Sequence, residues 1–446
     1  MTPSPEDRPP TVPATATQGG DVLSRWAWTE PAVWTERMLT ALEQGVKGGV
    51  WFSLMDKVLA ERNLRVAATK VVANQGAPGV DHISVEAFQD DLDANVAKLM
   101  RTLANGSFEP QAIRRVYIPK PGSPDQRPLG IPTVRDRVVQ AAVRHVIEPI
   151  FEREFAERSY GFRPGRGCKD ALRQVDDLLQ QGYVYVVDAD LKSYFDTIPH
   201  DRLMGRLRER IADGRVLGLI ESFLKAGILD GLEEWEPEAG APQGAVLSPL
   251  LSNIYLNPLD HQLAARGWQM VRYADDLVIL CRSAAEAEQA LTQVRHWCEA
   301  EGLQLHPTKT RIVDVRNDGF DFLGYHFQTT RRGRLVHWPR KKSLAKLKDT
   351  LRAKTKRTNG QSLPLILVDV NRTLRGWFGY FQHSYRTTFA SVDGWVRRRL
   401  RSILRKRAGL PGHGRGQDHQ RWPNSFFAAQ GYFSLEAAFA EACQPP

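Results

Sequence analysis

The chain has 446 residues and a formal net charge of +10, with 42% hydrophobic and 25% charged residues. This length allows two to four domains, and the composition is ordinary for a soluble globular protein. No apolar run approaches the roughly 20 residues that span a bilayer, and the four scattered cysteines form no C-x-x-C pair, which argues against membrane, zinc-module and disulfide-framework classes. We therefore expect a protein of the cytoplasm, in a bacterial cytosol, with no membrane partner.

Positive charge is concentrated near the C-terminus. Residues 331–421 contain 24 of the 61 Lys and Arg residues but only four of the 51 acids, so this segment carries +20 and the remainder −10. An acidic body joined to a basic segment predicts a polyanionic partner that is held largely by one part of the chain. A solvated basic surface is the alternative.

The first 160 residues contain few motifs. Residues 1 to about 20 are rich in Pro, Thr and Ala and are expected to be disordered. Apolar periodicity predicts a helix over residues 51–74, a strand over residues 113–119, and a long amphipathic helix over residues 133–154.

Between Tyr183 and Tyr325, strands alternate with helices, which is typical of an α/β or α+β core. The first strand runs into Asp188 and Asp190, which share one face of a strand, and Asp196 follows. Two separated acidic strand ends are what a two-metal phosphoryl-transfer site requires. Spacing alone leaves open which carboxylate faces a metal, and for Asp188 and Asp196 it favours a solubilising or capping role.

Residues 240–249 form a Gly/Pro-rich turn that opens an apolar helix predicted to extend through Leu256. Small residues in such a turn let a nucleotide approach the backbone closely. The pattern is weak by itself, because many turn–helix junctions look similar.

Tyr273-Ala274-Asp275-Asp276 lies between two apolar strands predicted over residues 268–273 and 277–281. Adjacent carboxylates at a hairpin tip repel each other, so a fold seldom places them there for stability. Mg²⁺ removes that repulsion, because it takes oxygen ligands from one or two carboxylates and from substrate phosphates. An ordinary Asp-containing turn is the alternative.

The basic segment contains two dense clusters. Residues 331–357 hold twelve Lys and Arg against one acid, and residues 397–407 hold seven basic residues in eleven. Apolar residues alternate with the charges of the second cluster, so one face of a helix can pack while the other meets phosphate.

Seven sequence blocks, in order and with consistent spacing, resemble the reverse transcriptases encoded by group II introns, which are also called maturases. The similarity extends from about residue 50 to the C-terminus. The blocks are RPLGIP (127–132), SYGFRPGRG (159–167), VDADLKSYFDTI (187–198), PQGAVLSPLLSN (242–253), YADD (273–276), HPTKT (306–310) and FLGY (322–325).

The resemblance implies an α+β fold of the right-hand polymerase type, with fingers, palm, a helical thumb and a basic C-terminal segment. It implies an RNA-directed DNA polymerase that also binds its intron RNA and assists splicing and mobility. The implied divisions are a partly disordered leader over 1–45, fingers over 46–160, a catalytic palm over 161–330, a thumb or maturase domain over 331–395, and a basic DNA- or RNA-binding segment over 396–446.

The resemblance also implies roles for individual residues. Asp190, Asp275 and Asp276 match the catalytic aspartates that bind two Mg²⁺ ions, and Leu191 is assigned to the same metal site. The ring of Phe195 would block a ribose 2′-OH, and the other expected nucleotide contacts are Lys120, Arg127, Gln243 and Lys309. The residues expected to bind nucleic acid are Arg340, Lys341, Lys342, Arg397, Arg398, Arg401 and Arg405.

The implied partners are group II intron RNA, an RNA template with a DNA primer, target DNA and deoxynucleoside triphosphates. Many relatives carry a C-terminal nuclease domain with paired cysteines, and its absence here predicts no DNA endonuclease activity. Two other functions stay open: a splicing maturase that does not need polymerase activity, and a domesticated relative that serves host defence or repair.

Overall fold

A computed structural model describes residues 22–119, 126–330, 332–412 and 416–443, with all their side chains except that of Lys47. Within these ranges the chain is a mixture of helices and three β-sheets. The strands are β1 Ile113–Pro119, β2 Gln126–Ile131, β3 Tyr185–Asp190, β4 Ile228–Asp230, β5 Glu233–Trp235, β6 Gln269–Tyr273, β7 Asp276–Cys281, β8 Arg311–Asp314, β9 Phe320–Phe322, β10 Tyr325–Thr329 and β11 Leu335–Pro339.

The helices fall into a long series before β1, a set that alternates with the central strands, and a C-terminal group. They are α1 Val22–Arg25, α2 Glu36–Gln44, α3 Met55–Val58, α4 Glu61–Ala73, α5 Val85–Asp90, α6 Leu92–Ala104, α7 Val134–Glu152, α8 Cys168–Gln180, α9 Tyr194–Thr197, α10 His200–Arg208, α11 Gly214–Leu224, α12 Ser248–Ala265, α13 Ala284–Ala300, α14 Lys341–Lys354, α15 Leu363–Phe381, α16 Thr387–Arg407, α17 Gly416–Arg421, α18 Asn424–Ala429 and α19 Leu435–Ala442, with a 3₁₀ turn at Lys47–Gly49.

The central sheet has the strand order β6-β7-β3-β8, and all its neighbouring strands are antiparallel. Helix α13 packs against β3 and β7, and α8 packs against β6 and β7. The residues of β7 from Leu277 to Cys281 are all buried, because both faces of the sheet are covered. This sheet fixes the acidic ends of β3 and β7 next to each other.

A second sheet, of order β2-β1-β4-β5, joins the antiparallel β1–β2 pair to the β4–β5 hairpin. The strand predicted over residues 113–119 is β1, with the same bounds. Residues 120–125, which include Lys120, lie outside the described residues. The third sheet, β11-β10-β9, connects the central sheet to the C-terminal helices.

The helix predicted over residues 51–74 is in fact two helices, α3 and α4. The break lies at Ala60, whose backbone is extended (φ −57°, ψ 127°). The buried amide of Asn63 donates to the carbonyl oxygens of Lys57 at 3.0 Å and of Ala142, on α7, at 3.1 Å. The break is therefore held by a tertiary contact that sequence periodicity does not contain.

The long helix predicted over residues 133–154 is α7, which begins one residue later and ends two residues earlier. The Thr133 hydroxyl caps it by accepting from the Asp136 N–H at 3.2 Å. Helix α7 is buried over most of its length and lies in the largest hydrophobic core, together with α3 and α4. Trp34 and Leu39 belong to the same core, so the predicted division between residues 45 and 46 does not separate two packed units.

Two more of the predicted divisions fall inside paired or packed elements. The division at 330/331 falls between β10 and β11, which pair as a hairpin. The division at 395/396 falls inside α16, and one hydrophobic core contains Leu351, Leu400, Phe427 and Leu435. The basic C-terminal segment is therefore packed against the preceding helices and is not a separate tail. None of the helices in the described ranges is both long and apolar enough to cross a membrane.

Candidate active site

Asp190 and Asp276 lie directly opposite each other on neighbouring strands. They are register partners in the antiparallel β3–β7 pair, so their Cα atoms are about 4.5–5.5 Å apart and their side chains leave the same face of the sheet. Asp275 precedes Asp276 in the turn of the β6–β7 hairpin. The structure therefore brings together the three carboxylates that the sequence placed in two distant motifs.

The turn itself is strained. Ala274 has φ 60°, in the left-handed region that a residue with a Cβ atom rarely adopts. Such strain costs on the order of 1 kcal/mol and persists only where the surrounding structure enforces it. The Ala274 conformation is thus evidence that neighbouring groups hold this turn in place.

A buried guanidinium donates a hydrogen bond to this turn. Arg272 is 1% exposed; its Nη2 lies 2.5 Å from Asp260 Oδ2, and its Nη1 donates to the Ala274 carbonyl at 2.8 Å. Nη1 also donates to Asn253 Oδ1 at 2.9 Å, and the Asn253 amide donates to the Gly161 carbonyl at 2.8 Å. The network ties helix α12 and the segment at Gly161 to the β6–β7 hairpin.

Sequence reasoning gave no role to Arg272 or Asp260. The sequence did contain a sign of this interaction. An arginine inside an otherwise apolar strand must have a charged or polar partner if it is buried. The partner, twelve positions earlier on α12, is visible only in the folded chain.

The carboxylates repel one another. Burial, together with the charges of Asp188, Asp275 and Asp190, raises the pKa of Asp276 to about 7. Burial also raises the pKa of Asp188, to about 6, although Arg311 beside it opposes the rise. The pKa of Asp275 is raised by burial and by Asp190 and lowered by the charges of Arg127 and Arg272. Asp188, favoured from sequence for a solubilising role, instead lies within the electrostatic reach of the site.

This donor set fits a divalent cation. It offers carboxylate oxygens, which are the ligands that hard cations prefer, and a cation would relieve the repulsion between them. Lys309 Nζ lies 2.8 Å from Asp190 Oδ2, so a positive charge is already accommodated there. Leu191 has a buried side chain beside Asp190, which leaves its main-chain carbonyl as the group able to face a metal. Within the described residues, no group of three or more His, Cys, Asp or Glu side chains is already arranged around one metal position.

The expected nucleotide contacts surround these carboxylates on two sides. Arg127, on β2, is exposed and close enough to act on the pKa of Asp275. Lys309 precedes β8 and reaches Asp190 on the neighbouring strand β3. Lys120 lies outside the described residues, so only Arg127 of the expected triphosphate-binding pair can be placed.

Phe195 and Gln243 line one cavity of about 620 Å³ between β1, the β4–β5 hairpin and the turn before α12. The Gln243 carbonyl accepts from the Gly130 N–H at 2.7 Å, which docks the turn onto β2. Gly244 has φ 106°, and a Cβ there would lie 2.4 Å from the Gly130 carbonyl oxygen, so this close approach requires glycine. The turn that was weak as a sequence signal is a wall of this cavity.

The basic residues expected to bind nucleic acid differ in their accessibility. Lys341, Lys342 and Arg398 are exposed. Arg340, at the start of α14, is half-buried and close enough to lower the pKa of Asp276. Arg397 is half-buried, with Nη1 3.8 Å from Asp393 Oδ2.

Arg401 and Arg405 bond to protein groups instead. Arg401 is 2% exposed and donates to the Trp422 carbonyl at 2.9 Å and to Asn424 Oδ1 at 2.8 Å. Arg405 Nη1 lies 3.0 Å from Asp418 Oδ1. The buried Arg401 side chain, expected from sequence to bind nucleic acid, here stabilises the packing of the last helices.

Comparison with known proteins finds two family models, each of which matches part of the chain. The family model described as reverse transcriptase (RNA-dependent DNA polymerase) matches residues 118–327, and that described as the group II intron maturase-specific domain matches residues 344–422. Protein YkfC of Escherichia coli K12 is 36% identical over 348 residues, which cover 68% of this chain and 86% of YkfC.

Two further matches are shorter. The group II intron-encoded protein LtrA of Lactococcus lactis subsp. cremoris is 40% identical over 197 residues, 44% of this chain, and the match covers only 32% of LtrA. A solved structure described as a partial Cas6-RT-Cas1–Cas2 complex has 25% identity and a TM-score of 0.37, and covers 56% of this chain and 43% of that chain. That score is too low to bear on the fold.

Proposed function

Since the chain belongs to the group II intron-type reverse transcriptases and maturases, a family of RNA-directed DNA polymerases with roles in intron splicing and mobility, we propose that it extends a DNA primer along an RNA template. The observation that supports this most directly is the opposition of Asp190 and Asp276 across β3 and β7, with Asp275 in the adjoining turn. Two-metal nucleotidyl transfer needs such a set of carboxylates on one rigid surface.

Divalent metal ions are general in this family, and the finer proposal is two Mg²⁺ ions. Asp190, Asp275 and Asp276 would hold them, with the main-chain carbonyl of Leu191 as a further ligand. The ions supply charge stabilisation for the attacking and leaving oxygens of an in-line displacement.

The chain's own residues position the deoxynucleoside triphosphate. Arg127 and Lys120 hold its phosphates from the fingers, since a guanidinium and an ammonium both bind phosphate oxygens well. Lys309 approaches from the palm, and Phe195 and Gln243 contact the sugar. The ring of Phe195 packs edge-on against Tyr194, with ring centroids 5.4 Å apart, and this contact supports its use as a steric barrier to a ribose 2′-OH.

The proposed architecture is the right-hand arrangement, with bounds adjusted to the packing. The fingers comprise the β2-β1-β4-β5 sheet and the helices up to α7, and the palm is built on the β6-β7-β3-β8 sheet. The thumb begins at α14 and includes α15–α19, because one hydrophobic core joins those helices. We propose that intron RNA, the RNA template with its DNA primer, and target DNA contact the basic surface of this thumb.

Extension of a DNA primer annealed to a long RNA tests the proposal. Asp275→Asn and Asp276→Asn should each lower the extension rate by at least about 10³-fold, since metal ligation contributes several kcal/mol to the transition state. The matched control is Asp90→Asn, which changes an exposed carboxylate at the end of α5. This variant should extend the primer at the wild-type rate. Unimpaired extension by Asp275→Asn and Asp276→Asn would contradict the metal assignment.

The maturase-specific match over residues 344–422 favours a second role in RNA splicing. That role needs RNA binding and no metal triad, so Asp275→Asn should still support splicing of the bound intron. If the wild type fails to extend any primer but binds RNA tightly, the maturase function alone stands.

A further inference from the structure

A second cavity lies away from the carboxylates, between the end of β11, helix α14 and the start of α16. Its volume is about 300 Å³, and its walls include the rings of Trp338 and Tyr385 and the side chains of Lys348, Thr387 and Ser391. This volume is at the lower limit for sites that bind small organic ligands and is suited to a single nucleotide unit.

Several side-chain polar groups that line this cavity have no hydrogen-bond partner within the part of the chain that the structure describes. Among the residues that the structure describes, the hydroxyls of Tyr385, Thr387, Thr388 and Ser391 neither donate to nor accept from another protein group. No carboxylate in the same ranges lies within 4.0 Å of Lys348 Nζ. One cation and four hydroxyls are therefore available to an anionic or hydroxyl-bearing ligand.

The electrostatic surroundings favour an anion. Lys348, Arg352 and Arg399 all lie around the ring of Trp395, with Nζ or Cζ atoms 5.9, 5.7 and 5.3 Å from its centroid. The acid next to them on α14, Asp349, is already paired with Arg352. The groove between α14 and α16 thus combines one half-buried indole with three cations, as phosphate-tracking grooves do.

Near the end of β11, the Nε atom of Arg340, two residues after Trp338, is buried and has no hydrogen-bond partner among the described residues.

From these observations we propose that the cavity bounded by Trp338, Lys348 and Tyr385 holds one nucleotide of a bound nucleic-acid strand. Lys348 binds its phosphate, the hydroxyls of Thr387 and Ser391 bond to its phosphate or sugar oxygens, and the aromatic rings contact the nucleoside. The inference rests on the proposed polymerase function and adds a contact point for the strand in the thumb.

Two lysines on α14 give a matched test. Lys346 is exposed on the same helix, and its side chain points about 200° around the axis from that of Lys348. We would compare Lys348→Gln with Lys346→Gln by fluorescence anisotropy, using a labelled DNA-primer–RNA-template duplex and an unprimed RNA of the same template sequence. The slope of log K against log salt should fall by about 0.7–0.9 for Lys348→Gln and by clearly less for Lys346→Gln.

The double variant Thr387→Val/Ser391→Ala removes hydroxyls without changing charge. It should weaken binding several-fold and leave the salt slope unchanged. If the variants weaken binding of the duplex alone, the occupant is a strand of the primer–template. If they weaken binding of the unprimed RNA alone, the occupant is free RNA. Either result supports the site. Equal slopes for Lys348→Gln and Lys346→Gln, or a hydroxyl variant that binds like wild type, would overturn it.

Primer extension by the wild-type protein at saturating duplex separates the two proposals. Extension together with an unchanged Lys348→Gln slope would reject the cavity and retain the polymerase. A changed slope without any extension would retain the nucleic-acid site and reject the polymerase.

Discussion

Arg272 links three separate segments at the level of single atoms. Its guanidinium bonds to Asp260 on α12, to Asn253 about two turns earlier on that helix, and to the carbonyl of the strained Ala274. Because the two residues after Ala274 are the proposed metal ligands, the arginine is a positioning residue for the carboxylates.

Arg272→Lys should remove this bidentate geometry, since an ammonium cannot bond to all three acceptors at once. We expect destabilisation of about 3–5 kcal/mol, the usual cost of breaking a buried ion pair, measured by urea unfolding. Primer extension at a temperature where the variant stays folded should also be slowed. Arg266→Lys, an exposed change just before β6, should do neither. Normal extension by folded Arg272→Lys would show that the network has only a structural role.

The backbone of the β6–β7 turn leaves no room for a side chain at Gly161. A Cβ atom there would lie 2.1 Å from the Ala274 nitrogen, and backbone atoms cannot rotate away. Gly161→Ala should therefore displace the turn, cost about 1–3 kcal/mol of stability and reduce extension.

Gly218→Ala is the control for that change. Gly218 lies in α11 and a Cβ there meets nothing within 4 Å, so the substitution should stabilise the protein by up to about 1 kcal/mol. Equal stability and activity for both alanine variants would contradict the close approach at Gly161.

Between elements, His145 joins α7 to α4. Its Nδ1 donates to Asn63 Oδ1 at 2.9 Å, and its Nε2 accepts from Lys70 Nζ at 3.1 Å, an arrangement that needs a neutral ring. Burial and the charge of Lys70 lower its pKa to about 4. The folded state thus disfavours protonation of this ring. Its contribution to the free energy of unfolding is therefore complete above about pH 6.5 and is lost as the pH falls through about 4.

The expected loss is at most about 3 kcal/mol, corresponding to the shift from the ordinary histidine pKa. Urea midpoints measured between about pH 7 and about pH 4 should fall for the wild type, and the fall should be shallower for His145→Gln. His296→Gln, an exposed change on α13, should keep the wild-type slope. Parallel slopes for wild type and His145→Gln would contradict the assignment.

The boundaries of β1 and α12 show where the local sequence pattern was sufficient to predict an element and where it was not. Strand β1 matches its predicted bounds because its apolar and β-branched residues lie between turn signals. Helix α12 continues to Ala265, past its predicted end at Leu256, although Asn257-Pro258 favours a stop. Leu259 and Leu263 are buried in the main core, and that packing outweighs the hydrogen bond lost at the proline.

At the scale of the whole molecule, the helices from α14 onwards pack as one unit that includes Asp393. This buried carboxylate of α16 accepts from the Tyr432 hydroxyl at 2.8 Å, the Ser434 hydroxyl at 2.7 Å, and the N–H groups of Leu435 and Glu436 at 3.1 Å each. The last helix, α19, is therefore anchored to the helix that also carries the basic cluster.

Asp393→Ala should leave those donors without an acceptor and destabilise the protein by several kcal/mol, since charged buried hydrogen bonds contribute about 1.5–3 kcal/mol each. Limited proteolysis should then cut between residues 408 and 434. Asp369→Ala, on the half-buried side of α15, is the control and should resist cleavage. Resistance in Asp393→Ala as well would mean that α19 is held chiefly by its apolar contacts.

The sequence by itself determined the family, the proposed carboxylate set and the charge asymmetry, because these are properties of residue type and spacing. The strand ends at Asp190 and Asp276 were also predictable, since alternation and turn residues act locally. It could not determine that Asp188 contributes to the electrostatics of the site or that Arg401 is buried, because each depends on which distant element covers the side chain.

Only the tertiary structure decided the pairing of Arg272 with Asp260, the break at Ala60, the continuity of α16 across the predicted domain division, and the cavity beside Lys348. Each of these depends on contacts between residues far apart in the chain. Burial and partner choice are set by the packing of whole elements, which local periodicity does not specify.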